Sequence, residues 1–278
     1  MALSQDPFTT AVLEVSRLTP SLIRIVFGGP AVAGYAGLDV GDECLTMEFP
    51  DPAGTGEGQW RNYTVRRHAP GELTVDFVVH RGGAASSWAQ HARVGDEVRM
   101  VRPRSWYAPP AGTTTRLLAA DLAGLPALAR LLEGMTPGEL LGTTVVVEVL
   151  DRLDAEALPD VPGVHLELVV GSGNGRRPST LAQRLERFVP DVRGGYVWLS
   201  AEAGECRTVR KSLRGVHGYP TDQAHTIGYW RFDSEAWAAR FEPVAEEMLG
   251  HYHRALEEGF GETVASERYD AALEAAGL

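Results

Sequence analysis

Arg61-Asn62-Tyr63-Thr64-Val65-Arg66 reads as a short alternating strand, with Arg61, Tyr63 and Val65 on one side and Asn62, Thr64 and Arg66 on the other. The chain around it keeps the same rhythm. Residues 10–18 and 21–27 alternate, 44–49 follow a Gly41-Asp42 turn, 54–59 form a polar glycine-rich loop, and 73–79 and 97–101 are again short and β-rich. About six short strands punctuated by glycine and proline predict a small closed antiparallel barrel within residues 1–112.

The pattern changes after Pro109-Pro110-Ala111-Gly112. Apolar runs at 116–120, 143–150, 164–170 and 196–200 alternate with helical stretches at 125–133, 180–188 and 204–213, which predicts an α/β domain with a parallel sheet over 113–233. Residues 234–278 read as a helical extension. There Trp237, Phe241, Val244, Met248 and Tyr252 form one apolar stripe, expected to pack on the preceding domain, and Pro243 is expected to start or kink a helix.

Composition narrows the function. The chain has 278 residues, 44% hydrophobic and 23% charged, an ordinary globular balance. A formal net charge of −11 argues against general nucleic-acid binding, which needs a basic surface, so any anionic ligand must meet a local basic patch. Of the 26 basic residues only Lys211 is a lysine, and arginine suits bidentate phosphate contacts. The first residues carry no basic stretch followed by an apolar core, and no run approaches the ~18 apolar residues of a spanning helix, so a soluble, cytoplasmic protein without a membrane partner is expected. Cys44 and Cys206 lie far apart without metal-ligand spacing and read as reduced thiols. His251 and His253 diverge on a helix, and no metal or nucleophile motif occurs.

Two segments suggest a ligand. Within RNYTVR a tyrosine face can stack on a flat ring, a threonine hydroxyl can bond a ring nitrogen and arginines can neutralise phosphates, which are the needs of a flavin dinucleotide; an ordinary exposed strand has the same residues. Downstream, DFVVHRGGAASSWAQHA (76–92) is a strand, a glycine turn and a helix. The glycines allow close backbone approach, the helix start offers amides to a phosphate, and Ser86 or Ser87 could cap that helix or bond a pyrophosphate.

The order RNYTVR, DFVVH, the glycine-small-Ser-Trp turn and VGDEVRMVRPRS (94–105) resembles the siderophore-interacting protein family, whose members are FAD-dependent ferric-siderophore reductases. AADLAGLPALARLLE (119–133), TVVVEVLDRLDAEAL (144–158), VWLSAEAGECRTVRKSLR (197–214) and GYWR (228–231) extend the resemblance over nearly the whole chain. It implies that an FAD-binding barrel precedes a nicotinamide-type domain, and that Arg61, Tyr63, Thr64, Val65 and Arg66 contact the flavin. His80, Gly83, Ala84, Ala85, Ser86 and Trp88 would surround the rest of FAD, although His80 also reads as a strand-end polar residue and Trp88 as core. Asp121, Glu202 and the pair Tyr229-Trp230 would lie near the nicotinamide or the substrate entrance. Arg66, Lys211, Tyr229, Trp230 and Arg231 would face the ferric siderophore, with Arg67, Arg102 and Arg104 as further basic candidates.

NADPH or NADH is the implied electron donor. Ala120-Asp121-Leu122-Ala123 stands where the family has Gly-Asp-Glu-Thr, Ala201 replaces a glycine and Ala84 a proline, so a ferredoxin-driven reductase is an alternative, as is a siderophore- or flavin-binding protein without turnover. Gly171-Ser172-Gly173-Asn174-Gly175-Arg176-Arg177 lacks the third glycine of a dinucleotide fingerprint. It reads as a loose turn, or as a loop whose Arg176 and Arg177 hold the 2′-phosphate of NADPH; Asp151 would suit a ribose hydroxyl.

Overall fold

The alternating segment folds into an antiparallel sheet of seven strands, β1 (Phe8–Arg17), β2 (Leu22–Gly28), β3 (Cys44–Phe49), β4 (Gln59–Thr64), β5 (Arg67–Ala69), β6 (Glu72–Val78) and β7 (Glu97–Arg104). They lie in the order β4-β3-β7-β1-β2-β6-β5 in a computed structural model that describes residues 7–50, 58–80 and 83–278, without the side chains of Arg102, Pro103, Glu235 and Thr263. Residues 54–57 of the expected loop, and Gly82 of the expected turn, fall outside the described residues. One face buries Phe27, Phe49, Phe77 and Met100, closed by Val32 of helix α1 (Pro30–Ala33) and Ala84, Ala85 and Ala89 of α2 (Ala84–His91).

The sheet is a half-barrel rather than a closed barrel, because no ladder among the described residues joins β4 to β5. The strand expected at 62–66 stops at Thr64 for a physical reason. Beyond it the backbone bonds elsewhere: the Val65 amide donates to the Glu43 carbonyl (2.8 Å), the Val65 carbonyl accepts from Arg130 (2.7 Å), and the Arg66 amide donates to Thr74 (2.8 Å).

The second sheet is parallel, built from β8 (Thr115–Ala120), β9 (Thr143–Val149), β10 (His165–Val170), β11 (Gly195–Glu202) and β12 (Ala224–Trp230), in the order β10-β9-β8-β11-β12. Its connections carry α3 (Leu125–Gly134), α4 (Pro137–Leu141), α5 (Leu181–Leu185) and α6 (Ala203–Gly215). Central strands covered on both faces, such as β8 and β11, read as unbroken apolar runs. The strand order reverses at β8, which opens a crevice at the carboxyl ends of the strands.

Three fully buried carboxylates, Asp42, Glu43 and Asp154, tie the sheets together. Asp42 accepts from the Ser105 hydroxyl, the Trp106 amide (2.9 Å) and the Trp198 indole (3.2 Å). Glu43 accepts from both Nη atoms of Arg130 (3.1 Å each), the Tyr35 hydroxyl and the Leu38 amide. Asp154 accepts from the Thr19 hydroxyl (2.7 Å) and from Ser21 through its amide and hydroxyl (3.0 and 2.8 Å). The junction between the sheets is therefore held by directional bonds as well as by apolar contact.

The chain ends in α7 (Ser234–Phe241), α8 (Ala245–Glu257) and α9 (Glu262–Ala275), with Pro243 in a 3-10 turn between α7 and α8. The apolar stripe does not pack on the α/β sheet as expected. Trp237, Phe241, Val244 and Met248 close instead on Tyr269, Ala272, Leu273 and Leu278, a small core of their own. The sequence shows that stripe but not its partner, which follows it in the chain. Attachment to α6 runs through the ion pairs Arg210–Asp270 (2.6 Å), Arg214–Glu267 (2.6 Å) and Lys211–Glu274. Partly exposed pairs are screened by salt. Amide hydrogen exchange in α9 is therefore expected to quicken severalfold between about 0.05 and 1 M salt while β8 and β11 stay protected; equal protection at both salt concentrations would show that apolar contact alone holds the helices.

Candidate functional site

A cavity of about 80 Å³ lies where the sheets meet, lined by Cys44, Asn62, Tyr63, Thr64, Trp106, Ile227, Gly228 and Tyr229. β3 and β4 supply one wall and the end of β12 the other. Tyr63 turns its ring toward the half-barrel core, 4.5 Å from Phe77 and 5.6 Å from Phe49, and burial pushes its phenol pKa up. The same two rings flank Trp88 of α2, at 5.9 and 5.4 Å, so one aromatic cluster sets β4 beside that helix. Thr64 faces the other way. Its hydroxyl is buried without a hydrogen-bond partner.

α2 begins at Gly83, whose φ of 81° is glycine's territory and where an added Cβ would stand 2.9 Å from the His80 ring. Among the described residues no side chain caps this helix, which leaves its first amides open to an anion. Ser86 neither caps the helix nor turns outward: its hydroxyl accepts from the His80 amide (3.0 Å) and donates to the His80 carbonyl (2.9 Å), closing the turn between β6 and α2. Ala84 and Ala85 are buried, and Trp88 stacks on Phe27 at 6.2 Å in the half-barrel core. Arg61 is exposed, bonded to the Trp60 carbonyl and the Gln59 side chain. Val65 is fully buried core. These residues fit a flavin dinucleotide where its needs are most specific, an unpaired hydroxyl at the ring edge and an open helix start for the pyrophosphate, with an arginine nearby in the chain. The cavity is sized for one edge of the ring.

The basic residues expected at the substrate divide differently. Arg66 is taken up by Glu133 of α3 (2.7 and 2.5 Å) and Lys211 by Glu274, and neither lines the cavity between the sheets. Arg231 lies 4.2 Å over the Trp237 ring. Arg104 instead reaches Thr46 and the pocket residue Asn62 at 3.3 Å each, with no carboxylate paired to it among the described residues.

A larger cleft, about 390 Å³, opens at the carboxyl edge of the parallel sheet, lined by Asp121, Glu148, residues 173–179, Ala201, Glu202, Glu205, Trp230 and Phe232 among others. Asp121 is the node of its floor, accepting from the amides of Ala123 (2.9 Å) and Glu202 (3.0 Å) and from the Trp230 indole (2.6 Å). Glu202 caps α6 through the Gly204 and Glu205 amides. The turn after β10 is fixed, not loose. Glu148 accepts from Ser172 (2.7 Å), Ser179 (2.8 Å) and the Thr180 amide (2.8 Å), and Asn174, at φ 55°, accepts from the Leu122 amide (2.9 Å). A Cβ at Gly173 would fall 1.9 Å from the Glu148 carboxylate. Arg176 and Arg177 stand in the cleft wall without an ion pair among the described residues. Asp151 caps the turn at 152–157 through the Leu153 amide and lines neither cavity.

Burial pushes the Asp121 carboxyl up to about 6, against the hydrogen bonds from Trp230, Ala123 and Gly124. The fold thus favours its protonated form. This contribution to stability is fully present below the unfolded pKa and is lost as pH rises through about 6. Indole fluorescence that differs between the parent and Trp230→Phe is expected to titrate near pH 6; a difference flat from pH 4.5 to 7.5 would contradict this. Among the described residues no group of histidine, cysteine and carboxylate side chains is placed to hold a metal, and no helix is long and apolar enough to cross a membrane.

Tyr63, Thr64 and Tyr229 thus share the cavity between the sheets, and Asp121, Glu202 and Trp230 share the cleft. Ser200, buried at the end of β11 with an unpaired hydroxyl, escaped the sequence reading; its place at a strand's carboxyl end was the available signal.

An antiparallel half-barrel is thus followed by a 3-2-1-4-5 parallel sheet, with one cavity at the junction and another at the carboxyl edge. The chain belongs to the siderophore-interacting protein family: the siderophore-interacting FAD-binding domain matches residues 11–107 and the siderophore-interacting protein domain residues 113–233. It is 27% identical over 239 residues to the NADPH-dependent ferric-chelate reductase of Escherichia coli K12, covering 79% of this chain and 91% of that protein. It is 30% identical over 228 residues to the mycobactin import ATP-binding/permease protein of Mycolicibacterium smegmatis, of which the match spans about a quarter (25%) against 79% of this chain. A siderophore utilization protein from T. fusca superposes with a TM-score of 0.72 at 27% identity, covering 83% of this chain and 95% of that one.

Proposed function

We propose that this chain holds FAD between its two sheets and reduces ferric siderophores with electrons from NADPH, freeing ferrous iron in the cytoplasm. The observation that carries the reading is the cavity at Thr64 and Tyr229, set where the sheet matched by the FAD-binding domain meets the parallel sheet of the siderophore-interacting protein domain. Bound FAD supplies a carrier that accepts a two-electron hydride and gives up single electrons, which no side chain does. The protein's part is to hold and orient. Tyr63 and Thr64 hold the ring edge, while Arg61, Gly83 and the first turn of α2 take the pyrophosphate. Arg176 and Arg177 take the 2′-phosphate that distinguishes NADPH from NADH. Arg104, without a carboxylate partner beside Asn62, draws an anionic siderophore to the pocket rim. Hard oxygen ligands hold ferrous iron less well than ferric, so reduction loosens the complex and no iron ligand is required of the protein.

The division into residues 1–112 for FAD, 113–233 for the nicotinamide nucleotide and a 234–278 helical extension is part of the same proposal. The test is the FAD-loaded chain with NADPH, a ferric siderophore and a ferrous-specific chelator. Ferrous complex is expected to form with NADPH. Formation only with reduced ferredoxin would move the donor to that protein, and a flavin that is reduced but delivers nothing to the ferric complex would leave a binding protein.

A further inference from the structure

Three hydroxyls from different strands lie together where the sheets meet: Thr64 of β4 and Tyr229 of β12 line the cavity, and Ser200 of β11 stands beside Tyr229 behind that lining. Among the described residues they are the only buried hydroxyls without a hydrogen-bond partner. Each forfeits the bonds it had in water, and a fold rarely leaves such groups unpaired. None of the three makes a bond of good geometry, yet Thr64 and Ser200 both lie within hydrogen-bonding reach of the Tyr229 phenol, so they form one cluster whose bonds to each other are at best weak. Burial dominates there, so the phenol stays protonated and remains a donor.

The cluster is held rigidly from the second sheet. A Cβ at Gly124 would stand 2.9 Å from the Ser200 hydroxyl and 2.3 Å from its carbonyl, so the turn before α3 presses directly on Ser200. Trp230 anchors the end of β12 to Asp121, and at Gly228 a Cβ would meet Ala203 at 3.0 Å, so the backbone on both sides of Tyr229 is fixed. Two hydroxyls from opposite sheets, preset across a cavity of about 80 Å³ with a third behind them, are an arrangement that would recognise the polar edge of a heterocycle inserted between the sheets.

We propose that Tyr229, oriented by Ser200 behind it, joins Thr64 in hydrogen-bonding the edge of the flavin ring, so that the second sheet is a positioning part of the FAD site and sets the flavin's reduction potential. This rests on the FAD reading above. Donors aimed at the ring stabilise its electron-rich reduced form more than its oxidised form, and removing them lowers the potential.

The experiment uses the full chain with Tyr229→Phe, Ser200→Ala and Thr64→Val, each removing a hydroxyl and keeping most of the side chain's shape. Two quantities are read, the Kd for FAD from flavin fluorescence quenching and the potential from equilibration with a reference dye. Each variant is expected to weaken FAD binding about three- to tenfold. Each is also expected to lower the reduced-to-oxidised ratio at a fixed potential by up to about tenfold, or about 30 mV for two electrons. Tyr229→Phe and Ser200→Ala with the parent's affinity and potential, beside a weakened Thr64→Val, would overturn the role of the second sheet and leave the FAD reading intact. A parent chain that takes up no FAD would overturn both.

Discussion

Replacing Arg176 and Arg177 together with alanine is expected to lower kcat/KM for NADPH about 100-fold or more and to leave that for NADH within about threefold. The two nucleotides differ by one phosphate, and a hydrogen bond to a charged group contributes roughly 1.5–3 kcal/mol, so two of them together exceed the ~2.8 kcal/mol of a 100-fold change. The turn that carries the arginines survives their loss. Its shape is set by the Glu148 carboxylate against Ser172, Ser179 and Thr180, and by Asn174 against Leu122. The effect is therefore one of charge and belongs to KM. Equal losses with both nucleotides would place the 2′-phosphate elsewhere.

Glu43→Ala is expected to destabilise the fold by about 3–5 kcal/mol in urea denaturation, the range for breaking a buried ion pair on one side. Glu43 is fully buried and holds both Nη atoms of Arg130, the Tyr35 hydroxyl and the Leu38 amide. Its removal leaves the Arg130 guanidinium, among the described residues, with the Val65 carbonyl alone. Because Arg130 comes from α3 and Val65 follows the strand of Tyr63 and Thr64, the same substitution is expected to loosen the junction between the sheets and weaken FAD uptake. A loss under about 1 kcal/mol would mean that apolar contact alone fixes that junction.

Much of this architecture was legible in the sequence because each sheet writes its own pattern. Alternation at 21–27 became β2, the half-buried 44–49 became β3, and the doubly covered β8 and β11 appeared as apolar runs. What failed was short or at an edge. β5 has three residues, α4 is one turn held by a Thr136–Glu139 capping box, and β12 carries His225, Thr226 and Gly228 among its apolar residues. Closure of the barrel could not be read at all, since it turned on where the Val65 amide and carbonyl find partners.

The site divides in the same way. Residues named by local motifs came together in two cavities, Tyr63, Thr64 and Tyr229 in one and Asp121, Glu202 and Trp230 in the other. The pairing of charges was the part that sequence could not show. Arg66 and Lys211 looked available, yet their carboxylate partners Glu133 and Glu274 lie 67 and 63 residues away in the chain. Arg176 and Arg177 sat in what looked like a loose turn because its rigidity comes from Glu148, on a neighbouring strand. Cys44, Asn62 and Trp106 joined the cavity lining only through the pairing of strands and sheets.

The most direct measurement is the absorbance spectrum of the purified chain with FAD under anaerobic conditions, taken before NADPH, after it, and after a ferric siderophore is added. The expected result is a bound flavin band that NADPH bleaches and the ferric siderophore restores as ferrous iron appears. A chain that binds no FAD, or a reduced flavin that the ferric siderophore leaves bleached, would contradict the account.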